Sequence, residues 1–257
     1  MFNLQFLNDL RAREIERVLS FLPRSGRLLE IGAGTGKQAM LLSGRGFQVS
    51  AIELAASNYA GDRVFPVLDY DGRTLPFENA TFDIVFSSNV LEHVGELGQI
   101  HREIRRVLKP GGQVVHVLPT HAWRFWTTTS AFPAAVQYIY ATFRSRPNLR
   151  GRYGLPSPRA VFRFGLQLGR PLAGAMLQRR HGERGNVITE TWYFRPIWWR
   201  RNFRRHGFRI LREEPMGLFY TGNMVLGPHC SWDRRAELAR WLGSACRIFL
   251  LESKIDS

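Results

Sequence analysis

The sequence predicts an α/β domain with a mostly parallel sheet, helices on both faces and a large insertion after the fifth strand. Three observations carry this. Short apolar runs alternate with helix-period segments over about 90 residues, as right-handed βαβ units require. The first run ends in a cluster of glycines where a strand hands over to a helix. After Pro119 the alternation stops and arginine and aromatic residues accumulate, until a helix–strand pattern returns near residue 196.

Leu7, Leu10, Ile15, Val18, Leu19 and Leu22 recur at helical spacing, so residues 1–24 form an N-terminal helix stopped by Pro23 and Gly26. Residues 27–31 are a short apolar run, as in a buried parallel strand, and residues 38–46 a helix. Strands follow at 48–53, 64–68 and 82–88. Val94, Leu97, Ile100, Ile104 and Val107 mark a helix closed by Lys109, Pro110, Gly111 and Gly112, and 113–118 is the fifth strand. Residues 120–195 are the insertion. Residues 196–257 return to the sheet through a helix at 198–206, a strand at 208–213, a helix at 238–244 and a last strand at 246–251, with a short insertion of their own. No internal repeat or low-complexity tract is present.

The chain has 257 residues, 44% of them hydrophobic, which excludes wholesale disorder. Its formal charge of +15 is unevenly placed. Residues 1–118 carry 13 basic and 13 acidic side chains, whereas the window 144–212 holds 17 arginines against Glu183 and Glu190. Cys230 and Cys246 make neither a disulfide framework nor a four-ligand zinc site. No secretory leader pattern opens the chain and no run of 18 apolar residues crosses it, so the expected compartment is the reducing cytoplasm.

Gly32, Gly34 and Gly36 let the backbone turn sharply and leave room for a ligand against bare amides. Glu53, at the end of the next strand, is placed to accept hydrogen bonds from two ribose hydroxyls. The plainer alternative is a tight turn and a helix-capping glutamate. The spacing is Gly-x-Gly-x-Gly, not that of dinucleotide binders. Three further motifs follow in order: Asp71, Gly72, Leu75, Pro76 and Phe77; Phe82, Asp83, Ser88, Asn89, Leu91, Glu92 and His93; and Arg106 with Lys109 to Gly112.

In this order and spacing, residues 25–120 resemble the class I S-adenosylmethionine (SAM)-dependent methyltransferases, especially the methyltransferase type 11 group. The resemblance implies a Rossmann-like seven-stranded sheet with a reversed last strand, a SAM-binding core at 25–119, and S-adenosylhomocysteine as the product. It implies that Gly32, Ala33, Gly34 and Gly36 approach the methionine part of SAM, with Glu30 nearby. Glu53 would hold the ribose and Leu54 pack on the adenine. Asp71 beside Gly72 would meet the adenine amino group, with Asp69 as fallback, and Ser88 and Asn89 would floor the sulfonium. Asp71 also fits a plain β-turn residue, and Asp83 fits a residue that positions its strand.

Methyl transfer from a sulfonium needs mainly in-line alignment, with a general base where the nucleophile is a hydroxyl or amine. The base candidates are His121, beyond the fifth strand, and His93; each also fits a loop or packing histidine. Trp123 and Trp126 would either stack on an acceptor or anchor the insertion's own core. No clustered metal ligands or nucleophilic triad point to other chemistry. The preferred acceptor is a small or lipid-linked molecule methylated at oxygen. Residues 120–205 admit three partners: an anionic membrane at the inner face, RNA, or a soluble anionic substrate. The membrane reading rests on the apolar stretches 131–143 and 160–170 with Arg144, Arg146, Arg150 and Arg152, and nucleic acid is the less expected partner. The alternatives to a small-molecule enzyme are an RNA methyltransferase and a non-catalytic SAM-binding module docked on membranes.

Overall fold

The computed structural model describes residues 4–144, 180–186 and 188–254, with scattered positions between 162 and 175. Seven strands form one sheet: β1 Gly26–Ile31, β2 Phe47–Leu54, β3 Val67–Tyr70, β4 Phe82–Ser88, β5 Leu108–Pro119, β6 Phe208–Pro215 and β7 Cys246–Ser253. Their order is β3-β2-β1-β4-β5-β7-β6. Strands β1 to β5 pair in parallel, and β7 runs antiparallel to both β5 and β6. The sheet and its reversed strand are as the sequence led one to expect.

The two-residue period of the central strands sends alternate side chains to opposite layers. Leu28, Ile84, Phe86, Val115 and Val117 face one core with Leu10, Ile15 and Val18 of α1 (Leu4–Val18) and Leu42 of α2 (Lys37–Ser43). Leu29, Val85 and Val114 face the other with Leu97, Ile100, Ile104 and Val107 of α3 (Leu97–Val107). His101 Nε2 meets Asn202 Oδ1 at 2.9 Å, tying α3 to a later helix on the same face.

Several boundaries move, each for a local reason. The third strand begins at Val67, not residue 64, because Pro66 has no N–H for the ladder. The fifth begins at Leu108, with Lys109 to Gly112 looped out between the Phe82 and Ile84 pairings as a bulge. The last helix, expected at 238–244, is Trp232–Leu242, because Ser231 caps it by accepting from the Arg234 amide. Gly243, at φ 91°, stops it.

The insertion opens with two helices, α4 His121–Thr129 and α5 Ala131–Arg144. Residues 120–129 pack against the body of the domain. Trp123 of α4 packs in the main core with Phe194, and Thr120 accepts the Trp123 amide and donates to the Ser244 carbonyl. The short α6 (Glu190–Tyr193) leads into α7 (Pro196–Arg205), and Trp232–Leu242 is α8. Arg146, Arg150 and Arg152 lie outside the described residues; of the stretch 160–170, Phe162, Gly165, Leu166, Gly169 and Arg170 are described. Among the described residues, no helix is long and apolar enough to cross a membrane.

Candidate functional site

The strand order reverses between β1 and β4, where an open α/β sheet leaves a crevice beyond its carboxyl ends. A cleft of about 650 Å³ opens there. Gly32, Ala33 and Gly34 line it after β1, Glu53 and Leu54 at the end of β2, Asp71 and Gly72 after β3, and Ser88 and Asn89 after β4. Tight packing explains the first glycine. Gly32 sits at φ 74°, and a Cβ there would collide with Val90.

Glu53 ties two walls together. Its Oε2 accepts from the Gly34 amide at 2.7 Å and its Oε1 from the Leu54 amide at 2.8 Å. Each carboxylate oxygen keeps a second acceptor direction. Asp71 is both a turn residue and a lining residue: its Oδ1 accepts from the Arg73 and Thr74 amides, and these bonds hold its carboxyl below the usual range. Asp69 is not on the lining, and Arg63 engages it instead. Asp83 receives the Arg27 amide and the Lys109 ammonium, joining β1 to β5 away from the cleft.

Asn89 has a left-handed backbone at φ 55°, a conformation asparagine tolerates. With its amide oxygen turned toward α1, it accepts from Arg11 at 2.7 Å. Leu7, Asn8 and Arg11 of α1 themselves line the cleft, which the helical spacing of residues 1–24 does not reveal. Arg11 is held by Glu14 at 2.5 Å, and Glu14 accepts from the Tyr220 hydroxyl at 2.8 Å. Tyr220 meets Cys246 Sγ at 3.0 Å, and burial and then the Glu14 charge push that thiol up.

Three expected site residues stand elsewhere. Gly36 is off the lining and closes against Phe65. His121, at the start of α4, is also off it, with the guanidinium groups of Arg195 and Arg247 acting on its ring. Glu30 is fully buried beneath the glycine turn, and burial, partly offset by the Ala39 amide, raises its carboxyl to about 8. Between about pH 4.5 and 8 the folded chain therefore keeps a proton that the unfolded chain has lost. Stability falls as pH rises through that window, by up to about 1.4 kcal/mol per pH unit. In thermal melts the advantage of Glu30→Gln over wild type is expected to grow from pH 5 to pH 8; a constant difference would show that Glu30 does not titrate there.

Trp123 is buried against Phe194, and Trp126 donates to the Leu242 carbonyl at 2.9 Å. Both anchor the fold, and neither lines this cleft. His93 does line it, in the short turn Leu91–His93 after β4. The fold brings His181, from the insertion, within 4.7 Å of the His93 ring centre. Burial lowers both imidazoles, His181 to about 4.

Residues 29–116 match the family described as "Methyltransferase domain". That stretch is a class I SAM-dependent methyltransferase domain. The domain family's cofactor is SAM, and the match runs from within β1 to within β5. The chain is 31% identical over 121 residues to 27-O-demethylrifamycin SV methyltransferase of Amycolatopsis mediterranei, covering 42% of this chain and 44% of that one. It is 26% identical over 199 residues to malonyl-[acyl-carrier protein] O-methyltransferase of Enterobacter lignolyticus, covering 72% and 79%. The chain spans 21% to 79% of the length of its first three curated relatives. A SAM-dependent methyltransferase of Mesorhizobium loti shares the fold, with a TM-score of 0.53 at 16% identity over 93% of this chain and 97% of that one. The cleft brings together a bare glycine turn, a carboxylate with spare acceptor directions, and a second carboxylate, Asp71.

Proposed function

We propose that this chain transfers a methyl group from SAM to an oxygen of a small or lipid-linked acceptor. The observation that carries the reading is the Glu53 carboxylate, poised between the Gly34 turn and Leu54 in the cleft at the switch point. When bound, SAM supplies an activated methyl on its sulfonium. Glu53 holds the ribose hydroxyls, Leu54 covers one adenine face, and Asp71 accepts from the adenine amino group. Ala33 and Gly34 present backbone to the methionine part, while Ser88 and Asn89 floor the reacting end. Arg11 fixes Asn89 and α1 keeps water from that floor, so the protein contributes chiefly orientation. His93, on the cleft wall, is the imidazole available to an acceptor; His121 is not on that wall.

Oxygen as the target is supported by the malonyl O-methyltransferase likeness, which covers 72% of this chain. Screening small-molecule, lipid and RNA fractions with methyl-labelled SAM tests the reading. Label in a small-molecule or lipid fraction supports it; label in RNA alone, or in no fraction, overturns it in favour of the RNA or the non-catalytic alternative.

A lipid-linked acceptor is favoured by α5. Phe132, Val136 and Tyr140, four residues apart, stay 50%, 60% and 64% exposed on one helix face, with Arg144 at its end. Such a face suits the interface of an anionic leaflet. Co-sedimentation with anionic but not neutral vesicles is expected, with loss on Phe132→Ser/Tyr140→Ser; no sedimentation with either would leave a water-soluble acceptor.

A further inference from the structure

Where the insertion meets the turn after β4, Glu92, His93 and His181 each bring a ligand-capable atom within 4.8 Å of the others. The arrangement is braced. Glu183 donates its amide to the Glu92 carbonyl at 2.8 Å, and Glu190 Oε1 accepts the amides of His181 and Gly182. Glu190 in turn pairs with Arg124. The two imidazole rings meet edge to face, with an interplanar angle of 65°.

Glu92 is the odd member. Its side chain is fully buried, and neither carboxyl oxygen has a hydrogen-bond partner among the described residues. The His93 Nε2 atom stands 3.9 Å from Oε1. Buried carboxyl oxygens almost always find a donor, and two without a side-chain partner beside two imidazoles are what an ion at this position would account for. Burial raises the Glu92 carboxyl to about 8, with Arg11 lowering it and Glu190 raising it further, so an ion bound here displaces its proton.

One carboxylate and two imidazoles form the donor set of three-ligand zinc sites that keep a fourth position open. Imidazole also selects a borderline transition-metal ion over magnesium or calcium. We propose that Glu92, His93 and His181 bind one divalent ion of this class, Zn²⁺ being the probe, beside the wall that His93 gives to the cleft. The open position would hold an acceptor oxygen, and the ion, as a Lewis acid, would ease loss of its proton to solvent, His93 then acting on the acceptor through the ion and not as its base. That role rests on the methyl-transfer reading, whereas metal binding does not.

The test is equilibrium dialysis of the chelator-treated full chain against Zn²⁺, with elemental analysis, alongside calorimetry with S-adenosylhomocysteine. One zinc per chain is expected. Loss of an outer hydrogen-bond partner alone weakens such sites by about 10–100-fold, so His181→Ala is expected to weaken zinc at least about 100-fold. Glu92→Gln, which keeps the side-chain volume, is expected to do the same. Cobalt substitution should give visible absorption that His181→Ala abolishes, and thermal melts confirm that each variant folds. Zinc absent from the wild-type chain, or retained undiminished by a folded His181→Ala, overturns the site. Zinc bound without S-adenosylhomocysteine keeps the site and sinks the methyl-transfer reading; the reverse result keeps that reading and sinks the site.

Discussion

Glu53→Ala is expected to weaken SAM and S-adenosylhomocysteine binding by at least about 100-fold, as read by calorimetry. Two hydrogen bonds from ribose hydroxyls to a carboxylate are worth about 1.5–3 kcal/mol each, and each 1.4 kcal/mol is about tenfold in affinity. The variant also frees the Gly34 and Leu54 amides, which Glu53 now holds at 2.7 and 2.8 Å, so the cleft loses shape as well as charge. Glu53→Gln separates the two effects. It keeps the length of the side chain but turns an NH₂ toward one of those amides, and is expected to fall between alanine and wild type. Undiminished binding in a folded Glu53→Ala protein would show that this carboxylate does not anchor the ribose.

Breaking the Arg124–Glu190 pair is expected to have the largest effect on stability. The two side chains are 3% and 0% exposed and meet at 2.7 Å. Removing one partner strands the other charge in the core, at a cost of about 3–5 kcal/mol. Arg124→Met and Glu190→Gln are each expected to lower the denaturation midpoint sharply. The double variant is expected to lose less than the sum, because no charge is then left unpaired. Strict additivity in chemical denaturation would contradict the coupling. Glu190 also holds the amides of His181 and Gly182, so its loss loosens the segment that delivers His181 to Glu92 and His93.

These two sites differ in how far the sequence discloses them. Glu53 follows Gly32 at the spacing of successive βα units, and both sit at strand ends that apolar runs mark directly. The resemblance to the methyltransferases pointed to Ala33, Gly34, Leu54, Asp71, Gly72, Ser88 and Asn89, and all of them line the cleft. Arg124 and Glu190 gave no such sign. An arginine and a glutamate in a basic, aromatic segment look like surface residues until packing removes them from water.

The histidines show the same limit from the other side. His121 stood at the expected distance beyond the fifth strand, yet the pitch of α4 leaves it outside the cleft lining, near Arg195 and Arg247. His93 was placed by its strand, but His181 reaches it only because the insertion folds back over the β4 turn. Leu7, Asn8 and Arg11 line the cleft because α1 crosses it, and a helix's own period says which residues share a face, not what that face meets.

The sequence by itself determined the α/β class, the parallel βα succession of the first five strands and the glycine turn, which follow from short-range periods and chain geometry; the resemblance to the methyltransferases added Asp71 as an acidic residue of the cleft. Only the tertiary structure decided how α1 closes the cleft, which arginines are buried, and that Glu92, His93 and His181 stand together. Those depend on contacts between residues far apart in the chain, and burial, which no local pattern encodes, sets their chemistry.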